Sequence, residues 1–231
     1  MFAVVTSDTT HLRPGAVVQF PGSWEEYSTL ASRRGDGTTP RIKYRQGEIL
    51  LMSPLPQHGR SASLVADIVK AILDFLGQNY EAFTPITIEL PQVGGIEPDF
   101  CFYIKNWQAA VGKDRIDWTI APPPDLAIEI DVTNYTNIED YLIYRIPEVW
   151  LLRSDFLQDS SASRLQIYLL TEDQYITSER SLFFPNLDIT AIIADCSSAA
   201  STQGSGAAMQ QLRERLKRYH ATSEEPSARC L

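Results

Sequence analysis

The segment Asp125–Thr133, DLAIEIDVT, constrains this chain more than any other. In an extended strand, successive side chains point to opposite faces of the sheet. Leu126, Ile128, Ile130 and Val132 then form one apolar stripe, while Glu129 and Asp131 share the other face with Ala127. Two residues along a strand, the Cα atoms of Glu129 and Asp131 lie roughly 6.6 Å apart. Two arrangements accommodate such a pair. On an exposed sheet face the carboxylates need no explanation. In an interior they repel and lose hydration, so a cation or strong hydrogen bonds must compensate. A divalent ion is an economical partner, because Mg²⁺ favours carboxylate oxygens and keeps several waters.

Glu97-Pro98-Asp99 opens a second strand of the same kind. Phe100, Phe102 and Ile104 make its apolar stripe, and Asp99, Cys101 and Tyr103 face the other way. Proline suits the first residue of a strand, where its missing N–H does no harm. If the two strands pair, Asp99 joins Glu129 and Asp131 around one ion.

The rest of the chain reads as an alternation of helices and strands. Ser23-Trp24-Glu25-Glu26 has the form of a capping box, opening a helix that ends near Arg34 before Gly35-Asp36-Gly37. RIKYRQGEILLMSP reads as two short strands broken at Gln46-Gly47, with Pro54-Leu55-Pro56 as a stop. Between about Arg60 and Tyr80 the positions Leu64, Val65, Ile68, Val69, Ile72, Leu73 and Leu76 recur at helical spacing. TPITIEL is expected as a strand, followed by a Gly94-Gly95 turn. A short helix is expected over Ile138 to Arg145, then the strand EVWLLR and a hairpin of RLQIYLL and QYITS. FFPNLDI completes the core, and residues 1–195 make one domain. Residues 197–208, rich in Ser, Ala and Gly, read as a linker. In the appendage 196–231, QLRERLKRYH forms one amphipathic helix, with Leu212, Leu216 and Tyr219 along an apolar edge, before a disordered tail.

Composition excludes several classes. No stretch approaches the ~20 apolar residues that span a bilayer. The start, MFAVVTSDTT, has neither the basic patch nor the apolar run of a signal peptide. Cys101, Cys196 and Cys230 are odd in number and far apart, which argues against a disulfide framework or zinc cluster. The expectation is a cytoplasmic protein. A net charge of −9 is unusual for a protein that holds nucleic-acid phosphates. Arg33, Arg34, Arg41, Lys43, Arg45 and Arg60 do cluster in the first third, either as a binding face or as an ordinary solvated surface.

SWEEYSTL, YRQGEILLMSPLPQHG, GGIEPDFCFYI, PPPDLAIEIDVT and IYRIPEVWLL together resemble, in order and spacing, the Uma-type family of predicted restriction endonucleases. The resemblance covers roughly residues 20 to 190. It implies an α/β, restriction-endonuclease-like core of the PD-(D/E)XK superfamily, a mixed central β-sheet flanked by helices, with acidic metal ligands on two adjacent strands. Asp99 matches the acidic residue of the first motif and Glu129 that of the second. The superfamily's lysine, two residues further on, is replaced by Asp131. A lysine relocated to the next helix, four residues before a tyrosine, is replaced by Asp140 ahead of Tyr144. The nearest other basic residues, Lys105 and Arg145, match no known position. Glu48 and His58 match acidic and histidine positions frequent in the family, as a further ligand or water-positioning group and as a phosphate contact or support for the metal. Gln57, Lys43 and Tyr144 are lesser candidates of that kind, and Cys101 is assigned to packing.

The resemblance implies Mg²⁺- or Mn²⁺-dependent hydrolysis of phosphodiester bonds in DNA. Asp99, Glu129 and Asp131 would hold the ion, and the ion would acidify a water. The rival reading is a catalytically degenerate binding or regulatory module, suggested by the absent lysine and the acidic charge. A glycosidase built on Glu129 and Asp131 is disfavoured, because two side chains parallel on one strand cannot flank a substrate bond. A homodimer is compatible with the C-terminal helix.

Overall fold

The structure is a computed structural model, and it describes residues 12–35, 37, 39–131, 136–153 and 164–223, without the side chains of Arg164 and residues 220–223. The end of DLAIEIDVT and the segment beyond residue 223 lie outside the described residues. The first half of the chain contributes β1 (Val17–Pro21), α1 (Trp24–Arg34), β2 (Arg41–Arg45), β3 (Glu48–Met52) and α2 (Pro56–Phe75). Four short strands follow: β4 (Glu81–Phe83), β5 (Ile88–Leu90), β6 (Gly94–Ile96) and β7 (Phe100–Tyr103). The second half contains β8 (Leu126–Asp131), β9 (Glu148–Arg153), β10 (Arg164–Leu170), β11 (Tyr175–Ser178), α3 (Ile189–Gln203) and α4 (Ser205–Ser223). Trp107–Ala109 and Ile138–Tyr144 form 3-10 turns.

The molecule is a mixed α/β protein. A six-stranded sheet runs in the order β11-β10-β9-β8-β7-β4, with β8 and β9 parallel and the other pairs antiparallel. β8 is central and buries all six of its residues. Its apolar stripe, Leu126, Ile128 and Ile130, packs with Phe100, Phe102, Trp150 and Leu152 under α2 and α3. The buried face of α2 carries Leu64, Val65, Ile68, Val69, Ile72 and Leu73. Each fully buried aliphatic side chain contributes about 1.5–3 kcal/mol, which makes this layer the main source of stability. The opposite face is covered mostly by strands rather than helices. Ile88 of β5 and Ile96 of β6 pack with Ala127, Cys101, Val149 and the tyrosines of the 3-10 turn. β5 and β6 belong to a second, antiparallel sheet of order β1-β3-β2-β6-β5, whose own core gathers Tyr27, Ile42, Ile49 and Leu51 beneath α1.

Several boundaries differ from the sequence expectation for physical reasons. α2 begins at Pro56, because proline at the first helical position lacks only an N–H that no helix bond would use. It ends at Phe75, with Gly77 in the left-handed region at φ 63°. Only the end of TPITIEL is strand, as β5 in the second sheet; β4, in the six-stranded sheet, precedes it. Gly94 and Gly95 are not the turn but part of β6. A Cβ there would collide with Tyr144 Oη and Tyr27 Oη, so glycine is required for close approach. The expected linker, residues 197–208, is instead helical apart from Gly204 at φ 89°. Alanine is the best helix former. Ala199 and Ala208 pack with Cys196, Met209, Leu212 and Leu216 in the same core as α2, so this segment is not an appendage. Among the described residues no helix is long and apolar enough to cross a membrane.

Candidate functional site

The two sheets meet along a ladder of charges. β2 alternates, so Ile42 and Tyr44 face α1 while Arg41, Lys43 and Arg45 face the six-stranded sheet. Each of the three meets an acidic residue, and Arg45 also stands 3.8 Å from Glu139. Arg41 pairs with Asp99, Lys43 with Glu129 at 2.8 Å, and Arg45 with Asp140. The row continues with Arg34, whose Nη1 lies 2.5 Å from Glu97 Oε1. Glu97 also accepts from the Ile42 amide at 3.0 Å and from Thr87 Oγ1 at 2.9 Å. Four residues of the basic cluster are thus engaged in ion pairs.

Asp99 is 1 % exposed and stands one position before the Phe100–Ile128 pairing of β7 with β8. Its Oδ2 accepts from the Ile130 amide at 2.7 Å, and its Oδ1 is hydrogen-bonded to His58 Nε2 at 2.6 Å. Burial alone would raise this carboxyl, but His58, the Arg41 guanidinium and the Ile130 amide together hold it below the usual carboxylate range. His58 lies in the first turn of α2 and is buried against Asp99, so it is neither a surface group nor a helix cap. Its Nδ1 has no hydrogen-bond partner among the described residues.

Glu129 is 2 % exposed. Its Oε1 accepts from both Lys43 Nζ and Tyr141 Oη, the latter carried by the 3-10 turn after β8. Burial, reinforced by nearby Asp99, pushes the Glu129 carboxyl up, against the opposing effect of Lys43. Lys43 is held charged, since Glu129 outweighs the cost of burying its ammonium. Asp131 is also buried, and its Oδ2 accepts from the Thr136 amide at 3.0 Å. It pairs with Arg153 Nε at 3.9 Å, its neighbour in the β8–β9 register. Glu48 is exposed at the start of β3, where Oε2 accepts from Gln19 Nε2 at 2.8 Å.

A cavity of about 170 Å³ opens over the C-terminal end of β8. Lys43, Arg45, Glu48, Glu129, Asp131 and Asp140 line it together with polar residues of β1 and of the segment after β8. Asp99 and His58 do not line it; they brace β8 from behind. Gln57 is exposed, and Tyr144 is buried with its hydroxyl unpaired among the described residues. Cys101 is fully buried and its thiol is pushed well up, chiefly by burial, which leaves it to packing. Lys105 lies over the Phe183 ring, and Arg145 donates to the Glu172 carbonyl, so neither supplies the missing lysine.

The expected cage of Asp99, Glu129 and Asp131 does not fit a divalent ion in this arrangement. Among the described residues no group of three or more His, Cys, Asp or Glu side chains is placed to hold a metal. Both oxygens of Asp99 are committed to Arg41, His58 and the Ile130 amide. Buried carboxylates do require compensation, and here the protein's own cations and hydrogen-bond donors supply it. Sequence reasoning passed over Arg41, Tyr141 and Arg153 as partners of these carboxylates. The alternation in RIKYR was the available signal for the first.

A family model described as "Uma2: Putative restriction endonuclease" matches residues 24–201. The chain belongs to that family. Among solved structures, a nuclease described as putative, belonging to DUF820, from Anabaena variabilis is similar to it. That likeness has 18 % identity and a TM-score of 0.46, and it covers 85 % of this chain and 99 % of the other. No curated protein matches the sequence.

Proposed function

We propose that this protein is a nuclease that hydrolyses phosphodiester bonds in DNA at the cavity over β8. The observation that carries the reading is Glu129, a buried carboxylate at the cavity wall beside the Lys43 ammonium, on a strand paired with the one that Asp99 leads. A carboxylate whose proton affinity is raised by burial is suited to take a proton from an attacking water. Fixed positive charge beside the reacting phosphate stabilises the charge that develops there. Lys43 and Arg45 provide it. Asp99, His58 and Arg41 keep β8 in place behind the centre. Mg²⁺ or Mn²⁺, implied by the family resemblance, does not fit the ligand set of the described residues.

The test is incubation of supercoiled plasmid, linear duplex and single-stranded DNA with wild type and Glu129→Gln, in Mg²⁺, Mn²⁺ or EDTA. Cleavage by wild type alone supports the reading, and its dependence on the ion decides the cofactor. The internal ion pairs Arg41–Asp99 and Lys43–Glu129 favour a second reading, a DNA-binding module without hydrolysis. Duplex binding without cleavage under every condition would establish it.

A further inference from the structure

We propose that Lys43 is the residue through which this cavity grips a backbone phosphate of DNA, an inference that rests on the DNA-directed reading above. A lysine ammonium has three N–H donors. That of Lys43 gives one to Glu129 Oε1, and no other acceptor bonds it among the described residues. The remaining donors belong to an ammonium that lines the cavity while its side chain is only 16 % exposed. At the cavity wall these donors are placed to meet an incoming anion.

The other cations nearby are ion-paired, as Lys43 is. Arg41 is buried against Asp99 outside the cavity wall, and Arg45 is paired with Asp140. The cavity also carries Glu48, Glu129, Asp131 and Asp140, so a phosphate entering it is repelled except where Lys43 and Arg45 stand. This charge pattern directs the anion to the β2 side of the cavity, where Lys43 and Arg45 stand. With about 30 Å³ per water in the liquid, the 170 Å³ cavity has room for a tetrahedral group in place of several waters. β2 holds the ammonium there by strand register, pairing Lys43 with Leu50 of β3.

The test compares Glu129→Gln with Lys43→Gln/Glu129→Gln, full-length and in EDTA, so that neither cuts and neither leaves a lone buried carboxylate. A fluorescein-labelled short duplex is titrated by anisotropy across salt concentrations. The expected result is about tenfold weaker binding by the double variant, with the salt slope lower by about one contact. Restoration of binding by Lys43→Arg/Glu129→Gln is expected as well, because a guanidinium also meets phosphate. Equal affinity and slope for single and double variants overturn the proposal, as does a failure of Glu129→Gln to bind duplex at all. If the double variant does not fold, acetylation footprinting of Glu129→Gln decides. DNA lowers the reactivity of Lys43 but not of exposed Lys113 if the proposal holds, and leaves each as reactive as without DNA if it fails. Wild-type cleavage is scored separately. Cleavage with no Lys43 effect removes this proposal alone, whereas a Lys43 effect without cleavage removes only the nuclease reading.

Discussion

At the scale of single residues, the centre is governed by how buried charge is neutralised. Removing one partner of a buried ion pair strands the other, which typically costs about 3–5 kcal/mol. Asp99→Asn strands Arg41 and weakens the bond to His58. A loss of that size is expected in urea unfolding at neutral pH. The folded carboxyl of Asp99 is depressed, so its contribution is complete above the unfolded value of about 3.9 and is lost as pH falls through the lower folded value. The gap between wild type and Asp99→Asn therefore closes in acid. A gap that stays constant down to the acid transition would show that Asp99 is not the titrating partner. Cys101, buried and with its thiol pushed up, is expected to resist iodoacetamide until the protein unfolds. Rapid labelling of the native protein at this residue would contradict its assignment to packing.

At the scale of elements, some boundaries follow from local chemistry and others from contact. The capping box of α1 is present as expected, with Ser23 Oγ accepting from the Glu26 amide and Glu26 reaching back to the Ser23 amide. Ser23→Ala should lower stability by about 1 kcal/mol in thermal or urea unfolding. DNA binding should be unchanged, since the cap lies outside the cavity lining. Gly95 is different, because its requirement comes from Tyr27 on another element. Gly95→Ala forces the buried Tyr27 ring aside and should cost about 1–3 kcal/mol. Gly95→Ala with Tyr27→Phe should regain part of that, read by the same unfolding curves. No recovery would place the strain in the backbone instead. The hairpin of β10 and β11 and the helical face of α2 were legible from periodicity alone. The placing of β4 and β5, close in sequence, in two different sheets was not, because their pairing partners are set by the fold.

At the scale of the whole molecule, the C-terminal helices and the meeting of the sheets decide the architecture. α3 and α4 complete the core beneath which β8 lies, with Leu212 and Leu216 buried and Tyr219 bonded to the Asn186 carbonyl. Truncation after Gln203 should expose that layer and lower the melting temperature markedly, with the protein binding a hydrophobic dye. An unchanged melting transition would return this segment to the status of an appendage. The net charge of −9 also takes its meaning here. Much of the basic cluster neutralises an acidic row between the sheets, and the cavity's two cations, Lys43 and Arg45, belong to that row.

The sequence by itself determined the strand that Asp99 precedes and the one that carries Glu129 and Asp131, their alternation, the buried face of α2 and the family to which the chain belongs. These depend on local periodicity and on motif order, both of which are written along the chain. Only the tertiary structure decided which cation meets each carboxylate. Lys43 and Glu129 come from different sheets, and no local rule couples their positions. The same holds for the helical fate of residues 197–208, whose small side chains read as a linker in isolation. They become a packed helix pair only where a core is present to receive Ala199 and Ala208. Local propensity acts between near neighbours, whereas charge compensation and burial are settled by whatever the fold brings alongside.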